Sequence, residues 1–165
     1  MKRIKQWIVS ALIGATLLGA GVPDYKVVCD ALGNIEGYQA EKCEGTKMSN
    51  PMMGEMVSAN RSYTAGEKHL NVTVVSGMQA MGMWAPFMSG TQVENDEALM
   101  KIEQINGFNV GITYDKKEHS GGIVVQLASN AMLAFEFENM DWKEALEAAK
   151  ELDWQALKSL FERSE

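Results

Sequence analysis

The chain has 165 residues, 46% of them hydrophobic, with 15 Lys and Arg against 22 Asp and Glu. That length suits one domain with one core and leaves little room for a second. A formal charge of −7 works against nucleic acid and anionic lipid as partners, because both repel an acidic chain.

The first residues have the layout of a secretory leader. Lys2, Arg3 and Lys5 form a basic start, and Trp7 to Gly21 form an apolar run that closes in small residues. That run falls short of the about 20 apolar residues that a comfortable membrane span needs. The expected organisation is therefore a leader over residues 1–21 and a single α+β domain over residues 22–165, with no membrane span once the leader is cut. Cleavage after Ala20 or after Gly21 fits the preference for small residues, although the first choice puts Leu18 third from the cut. No cysteine follows directly to take a lipid; uncut, the run would be an N-terminal anchor. Three basic residues and no acidic ones leave with the leader, so the mature charge becomes −10. The expected location is periplasmic or secreted.

Cys29 and Cys43 both lie in the exported part. In an oxidising compartment such a pair is expected to form a disulfide. The bridge closes a loop of about 15 residues and is worth about 3 kcal/mol in the chain-entropy account. Their spacing does not resemble the Cys-x-x-Cys of a redox-active pair.

Pro23 to Gly33 mixes strand-like and helix-like signals and is left unassigned. Gly37 to Lys47 reads as a first strand carrying Cys43, and Met56 to Tyr63 as a second. A Met-rich loop from Met48 to Met56 is expected between them. Thr64 to Lys68 turns the chain into a third strand, where Leu70, Val72 and Val74 alternate with Asn71 and Thr73. Ser76 to Gly90 breaks the alternation; interrupted by Gly82 and Pro86, it has room for one or two irregular helical turns only. Thr91 to Glu97 is polar and reads as a loop. Leu99 to Ile105 and Phe108 to Tyr114 flank Asn106-Gly107, the strongest short signal for a type I′ hairpin. Ile123 to Leu127 and Leu133 to Phe137 keep the period of two that marks a sheet with one covered face.

The cover is expected from the C-terminal segment. Asp141 is a good N-cap, Glu144 three residues on completes a capping box, and Trp142, Ala145, Leu146, Ala149 and Leu152 recur at helical spacing. Asp153-Trp154, followed by Leu157, Leu160 and Phe161, begins a second short helix or a bent continuation. The predicted fold is α+β: a six- to seven-stranded antiparallel meander with a C-terminal helix or helix pair on one face.

Ile105-Asn-Gly-Phe-Asn-Val, the acidic turn after it, two strands and a helix ending in Leu-Asp-Trp-Gln-Ala-Leu together resemble the C-terminal part of small exported α+β domains of the PsbP and Mog1-like type. The segment is also similar to several uncharacterised bacterial secreted families. The resemblance covers about a third of the chain and implies a sheet flanked by helices and an accessory, non-catalytic role. It carries over no functional residue, and the Met-rich segments are not part of that pattern.

Enzyme templates fail on the residues themselves: there is no Gly-x-Ser-x-Gly, no His-Glu-x-x-His, no phosphate-binding glycine loop and no Cys-x-x-Cys. His69 and His119 read as solvated polar residues. Glu136 and Glu138 share the polar face of one strand, about 7 Å apart by the strand repeat alone.

Methionine is the compositional anomaly. Of 12 residues, eight fall between Met48 and Met88. Three readings stay open. The thioethers fill the edge of the core and cap the sheet. Alternatively Met78, Met81, Met83, Trp84, Phe87 and Met88 form a mobile loop that binds a hydrophobic ligand or a partner protein. In the third, Met48, Met52, Met53 and Met56 hold Cu(I) or Ag(I), metals that favour soft thioether ligands; no other cofactor is expected. The overall expectation is a non-enzymatic exported binding or accessory protein.

Overall fold

The computed structural model describes residues 21–162, so the expected leader lies outside the described residues except for Gly21. Nine antiparallel strands form one open sheet: β1 (Gln39–Ala40), β2 (Glu44–Asn50), β3 (Gly54–Ala65), β4 (Lys68–Ser76), β5 (Val93–Glu94), β6 (Ala98–Ile105), β7 (Phe108–Asp115), β8 (Ser120–Ala128) and β9 (Ala131–Glu138). Four helices accompany them: α1 (Tyr25–Ala31), α2 (Met78–Trp84), α3 (Trp142–Lys150) and α4 (Trp154–Glu162). The α+β class and the C-terminal helix pair agree with the sequence expectation.

Strand number and order differ from it. The expected strand over 37–47 divides into β1 and β2, both paired with β3. The break falls where Cys43 is bridged to Cys29 of α1 and the Arg61 Nε donates to the Glu41 carbonyl at 2.8 Å. The expected loop over 91–97 contains the two-residue β5. Nor is the sheet a single meander. Its order is β1-β3-β4-β9-β8-β7-β6-β5, with β2 also on β3. Two hairpin-linked runs, β2 to β4 and β5 to β9, meet where β4 pairs with β9. The phase of the side chains explains that join: Leu70, Val72 and Val74 stand opposite Phe137, Phe135 and Leu133, so both apolar rows enter one core.

That core lies on the face covered by α1, α3 and α4. Asp24 caps α1 by accepting from the Lys26 amide at 2.8 Å, which settles the segment the sequence left unassigned. Asp141 caps α3 through the Lys143 amide at 2.8 Å. Glu144 does not close the expected capping box, because its carboxylate pairs with Lys68 at the start of β4. Trp154 is buried at the head of α4, donating its indole N–H to the Ala149 carbonyl at 2.8 Å and meeting Phe108 edge-on at 5.7 Å. Asn106 and Gly107 both have positive φ, 51° and 83°, as a type I′ turn requires.

The predicted disulfide is present, with 5.6 Å between the Cα atoms of Cys29 and Cys43. It ties α1 to the start of β2. Beside it, Arg61 on β3 donates to the Leu32 carbonyl at the end of α1, and the buried Tyr63 hydroxyl donates to the Gly33 carbonyl at 2.7 Å.

Burial raises the hydroxyl pKa of Tyr63, Tyr38 and Tyr114 above the ordinary 10.0. The unfolded chain therefore loses these protons first on the alkaline side. Their contribution to stability is whole below pH 10 and is lost as pH rises through the folded values. Urea midpoints should stay level up to about pH 9 and fall beyond about pH 10. Tyr63→Phe should cost about 1 kcal/mol at neutral pH through the lost hydrogen bond and make the alkaline fall shallower. Denaturation at pH 7 and at about pH 10.5 measures both.

Candidate functional site

The second face of the sheet has no helix pair over it and divides into two halves. After Ser76 the chain crosses this face as α2 and a 3-10 turn (Ala85–Phe87), from β4 over β9 and β8 towards β7. Ala80 packs on Val75 of β4 and Met132 of β9, with Met83, Trp84 and Val124 around them. Phe87 sits over Gly111 of β7. A side chain at Gly111 would collide with the ring, since even a Cβ would come within 2.5 Å of it. Trp84 and Phe87 rings are 5.3 Å apart. This crossing carries the chain to the far edge of the sheet, from which β5 to β9 return.

The expected aromatic and methionine loop is therefore a helix and a turn seated on the sheet, and its six residues do two different jobs. Phe87 is buried, and Met83 and Trp84 are half-buried against the sheet. Met78, Met81 and Met88 point outward, Met88 being 75% exposed. A groove of about 320 Å³ runs along this side, lined by Met81, Trp84, Met88, Gln126, Ser129 and Met132.

The second methionine group is not a loop either. β2 runs on to Asn50 and β3 starts at Gly54, so Met48 and Met56 are strand residues directly opposite one another. Only Met52 and Met53 occupy the turn. Asn50 Oδ1 accepts from the amides of Met52 and Met53 at 2.8 and 3.2 Å, and Gly54 supplies φ of +77°, which together close the hairpin tightly. Met56 is only 8% exposed, and its side chain lies against Gly77, the residue before α2. Met48 is half exposed, and Met52 at the tip is 95% exposed. Met48, Met56, Thr46, Val57, Ser58 and Gln79 line a second groove of about 210 Å³. The two methionine groups thus meet at Gly77, while Met52 and Met53 stand in the turn beyond two further residue pairs, about 10 Å or more along the strands.

The other half of this face is polar. Glu41, Ser62, Thr64, His69, Asn71, Glu136 and Glu138 surround a groove of about 350 Å³. His69 is directly opposite Glu138, and Asn71 opposite Glu136. Sequence reasoning missed this juxtaposition because it depends on the β4·β9 pairing, which no local signal announces. His119 also has a partner the sequence did not reveal, the Tyr114 hydroxyl at 2.9 Å from its Nδ1. Among the described residues no three His, Cys, Asp or Glu side chains gather as a metal site.

The division between packing and exposed residues along α2 is testable. Phe87→Ala should cost about 3 to 5 kcal/mol, as for a buried ring removed from a core. Met78→Ser and Met88→Ser should each stay within about 0.5 kcal/mol of the parent, as exposed positions do. Urea denaturation of the three variants makes the comparison.

No family model, curated protein or solved structure matches the chain. The functional reading therefore rests on these residues and their arrangement.

Proposed function

We propose that this chain is an exported accessory protein, periplasmic in a two-membrane cell or else secreted, that binds an apolar partner through its methionine ridge. The carrying observation is the distribution of exposed apolar side chains. Among the described residues, eight large hydrophobic side chains are exposed, and six of them are Met48, Met52, Met53, Met78, Met81 and Met88. All six belong to the β2–β3 hairpin or the α2 crossing, which adjoin at Gly77. Thioether side chains are unbranched and polarisable, so a ridge of them adapts to varied apolar surfaces. Two grooves border these side chains, one lined by Met48 and Met56 and the other by Met81 and Met88, an arrangement suited to a protein surface or an amphipathic segment. Export is supported by the basic and apolar start of the chain, and by the Cys29–Cys43 bridge, which fits an oxidising compartment. The reading assigns no catalytic step to the protein and no nucleic acid as its partner.

A second reading has one observation in its favour: Met48 and Met56 face one another across β2 and β3 and line the same groove, which offers Cu(I) two soft ligands.

The test uses the folded mature protein and a dye that fluoresces on apolar surfaces. Met78→Ser, Met81→Ser and Met88→Ser combined should remove most of the dye signal without changing the urea midpoint. The matching triple Met→Leu variant, which keeps apolar volume, should retain the signal. Dye binding that survives the Ser substitutions would take away the basis for the ridge. Cu(I) held against a chromogenic chelator, and released by Met48→Leu with Met56→Leu, would move the assignment to metal handling.

A further inference from the structure

We propose that the leader is cut between Gly21 and Val22, and that Glu55 is the seat of the α-ammonium group which this cut creates. The inference rests on the export reading above and adds the bond that is cut and the fate of the new terminus.

Val22 is held at both of its backbone polar groups by one ion pair on the β2–β3 hairpin. Its nitrogen donates to Glu55 Oε2 at 3.1 Å, and its carbonyl accepts from Lys47 Nζ at 3.0 Å. Lys47 and Glu55 are themselves 3.8 Å apart. These contacts span 33 and 25 residues of sequence, so they are made by the fold and not by local chain geometry. A peptide N–H offers a carboxylate one neutral donor. An α-ammonium at the same atom offers a full positive charge and three donors, and hydrogen bonds between charged partners are about twice as strong.

Gly21 lies hard against the same carboxylate: a Cβ built there would be 2.4 Å from Glu55 Oε2. The Glu55 carboxylate thus lies directly beside the junction of residues 21 and 22. The leader's own chemistry selects the same bond. Cleavage after Gly21 places Gly19 and Gly21 at the two positions that favour small residues, whereas cleavage after Ala20 places Leu18 at one of them.

In the step itself, water adds across the Gly21–Val22 amide with a leader peptidase as catalyst. The carbonyl carbon of Gly21 gains a C–O bond and leaves as a carboxylate. The C–N bond breaks, and the Val22 nitrogen takes up protons to become the ammonium. The new terminus then lies two residues before Asp24, the cap of α1. α1 is consequently pinned to the β2–β3 hairpin at its start through Val22 and near its end through Cys29–Cys43. That hairpin also carries Met48 and Met56. The ridge is therefore fully braced only in the processed, oxidised form.

The full chain is expressed with its leader, recovered from the exported fraction, and measured by intact mass. Its α-amine is then acylated at neutral pH, beside Glu55→Gln and beside the urea-unfolded parent. The expected mass begins at Val22. The folded parent should react roughly three- to tenfold more slowly than Glu55→Gln, the equivalent of about half to one pKa unit, with Lys47 offsetting part of the effect. Glu55→Gln should react at about the rate of the unfolded chain. A retained leader would overturn the export reading itself. A mass beginning at Gly21 or elsewhere would overturn the assigned bond. A mass beginning at Val22 with equal rates for parent and Glu55→Gln would overturn Glu55 as the seat.

Discussion

The pairing of β4 with β9 is the constraint on which the remainder of the molecule depends. It joins residues 55 to 69 positions apart in sequence, from Ser76 opposite Ala131 to His69 opposite Glu138, in a direct antiparallel register. The side-chain period of a strand is two, so a slip by one residue would turn Leu70, Val72 and Val74 away from the core that Leu133, Phe135 and Phe137 enter. Burial of those six side chains enforces the register; each is worth about 1.5 to 3 kcal/mol when fully removed from water. The same register determines the opposite face as a by-product. It places Val75 beside Met132 as the floor for α2, and His69 beside Glu138 in the polar groove.

The crossing segment follows from that constraint. Once β4 is committed to pair with β9, the chain after Ser76 must travel to the far edge of the sheet before β5 to β9 can meander back. It makes that journey over the second face, and glycine at 111 leaves space for Phe87 to anchor it. A sheet face covered in this way by a seven-residue helix buries only the inner side of the helix. Ala80 and Phe87 are consumed as packing, with Met83 and Trp84 half used, while Met78, Met81 and Met88 are left outside. The exposure of Met78, Met81 and Met88 is thus a geometric consequence of a short helix and turn laid on a sheet.

What could be read from the sequence was what is local. Alternation identified β4, β7, β8 and β9; Asn106-Gly107 identified its hairpin and with it β6; Asp141 and the apolar spacing after it identified α3, and Asp153-Trp154 marked the start of α4. The disulfide followed from compartment and count. What failed was what depends on distant partners. Glu144 looked like half of a capping box because nothing nearby competed for it, whereas Lys68 arrives from 76 residues away. The Met-rich stretch looked like a loop because Pro51 and Gly54 punctuate it, yet Asn50 folds those residues into a turn only a few residues long, and the strands close in on either side. The six candidate binding residues were legible as a group but not as two groups, since burial of Phe87 needs Gly111 of a strand that comes 24 residues later.

The β2–β3 hairpin concentrates more of the molecule's special chemistry than any other element. β2 lies at the margin of the sheet, with β3 as its only strand partner, and an edge strand gains little from the core. Its attachments are instead covalent and electrostatic: Cys43 to Cys29, with Lys47 and Glu55 around Val22. Exposed ion pairs are individually worth no more than about 1 kcal/mol, so they add to the disulfide without replacing it. Reduction would therefore loosen α1 and the hairpin before it disturbed the β4·β9 core, because Leu133, Phe135 and Phe137 are buried on paired central strands while Cys29 and Cys43 pack only at the margin of that core. The bridge fits an oxidising compartment, and with it in place the hairpin holds Met56 against Gly77, at the start of α2.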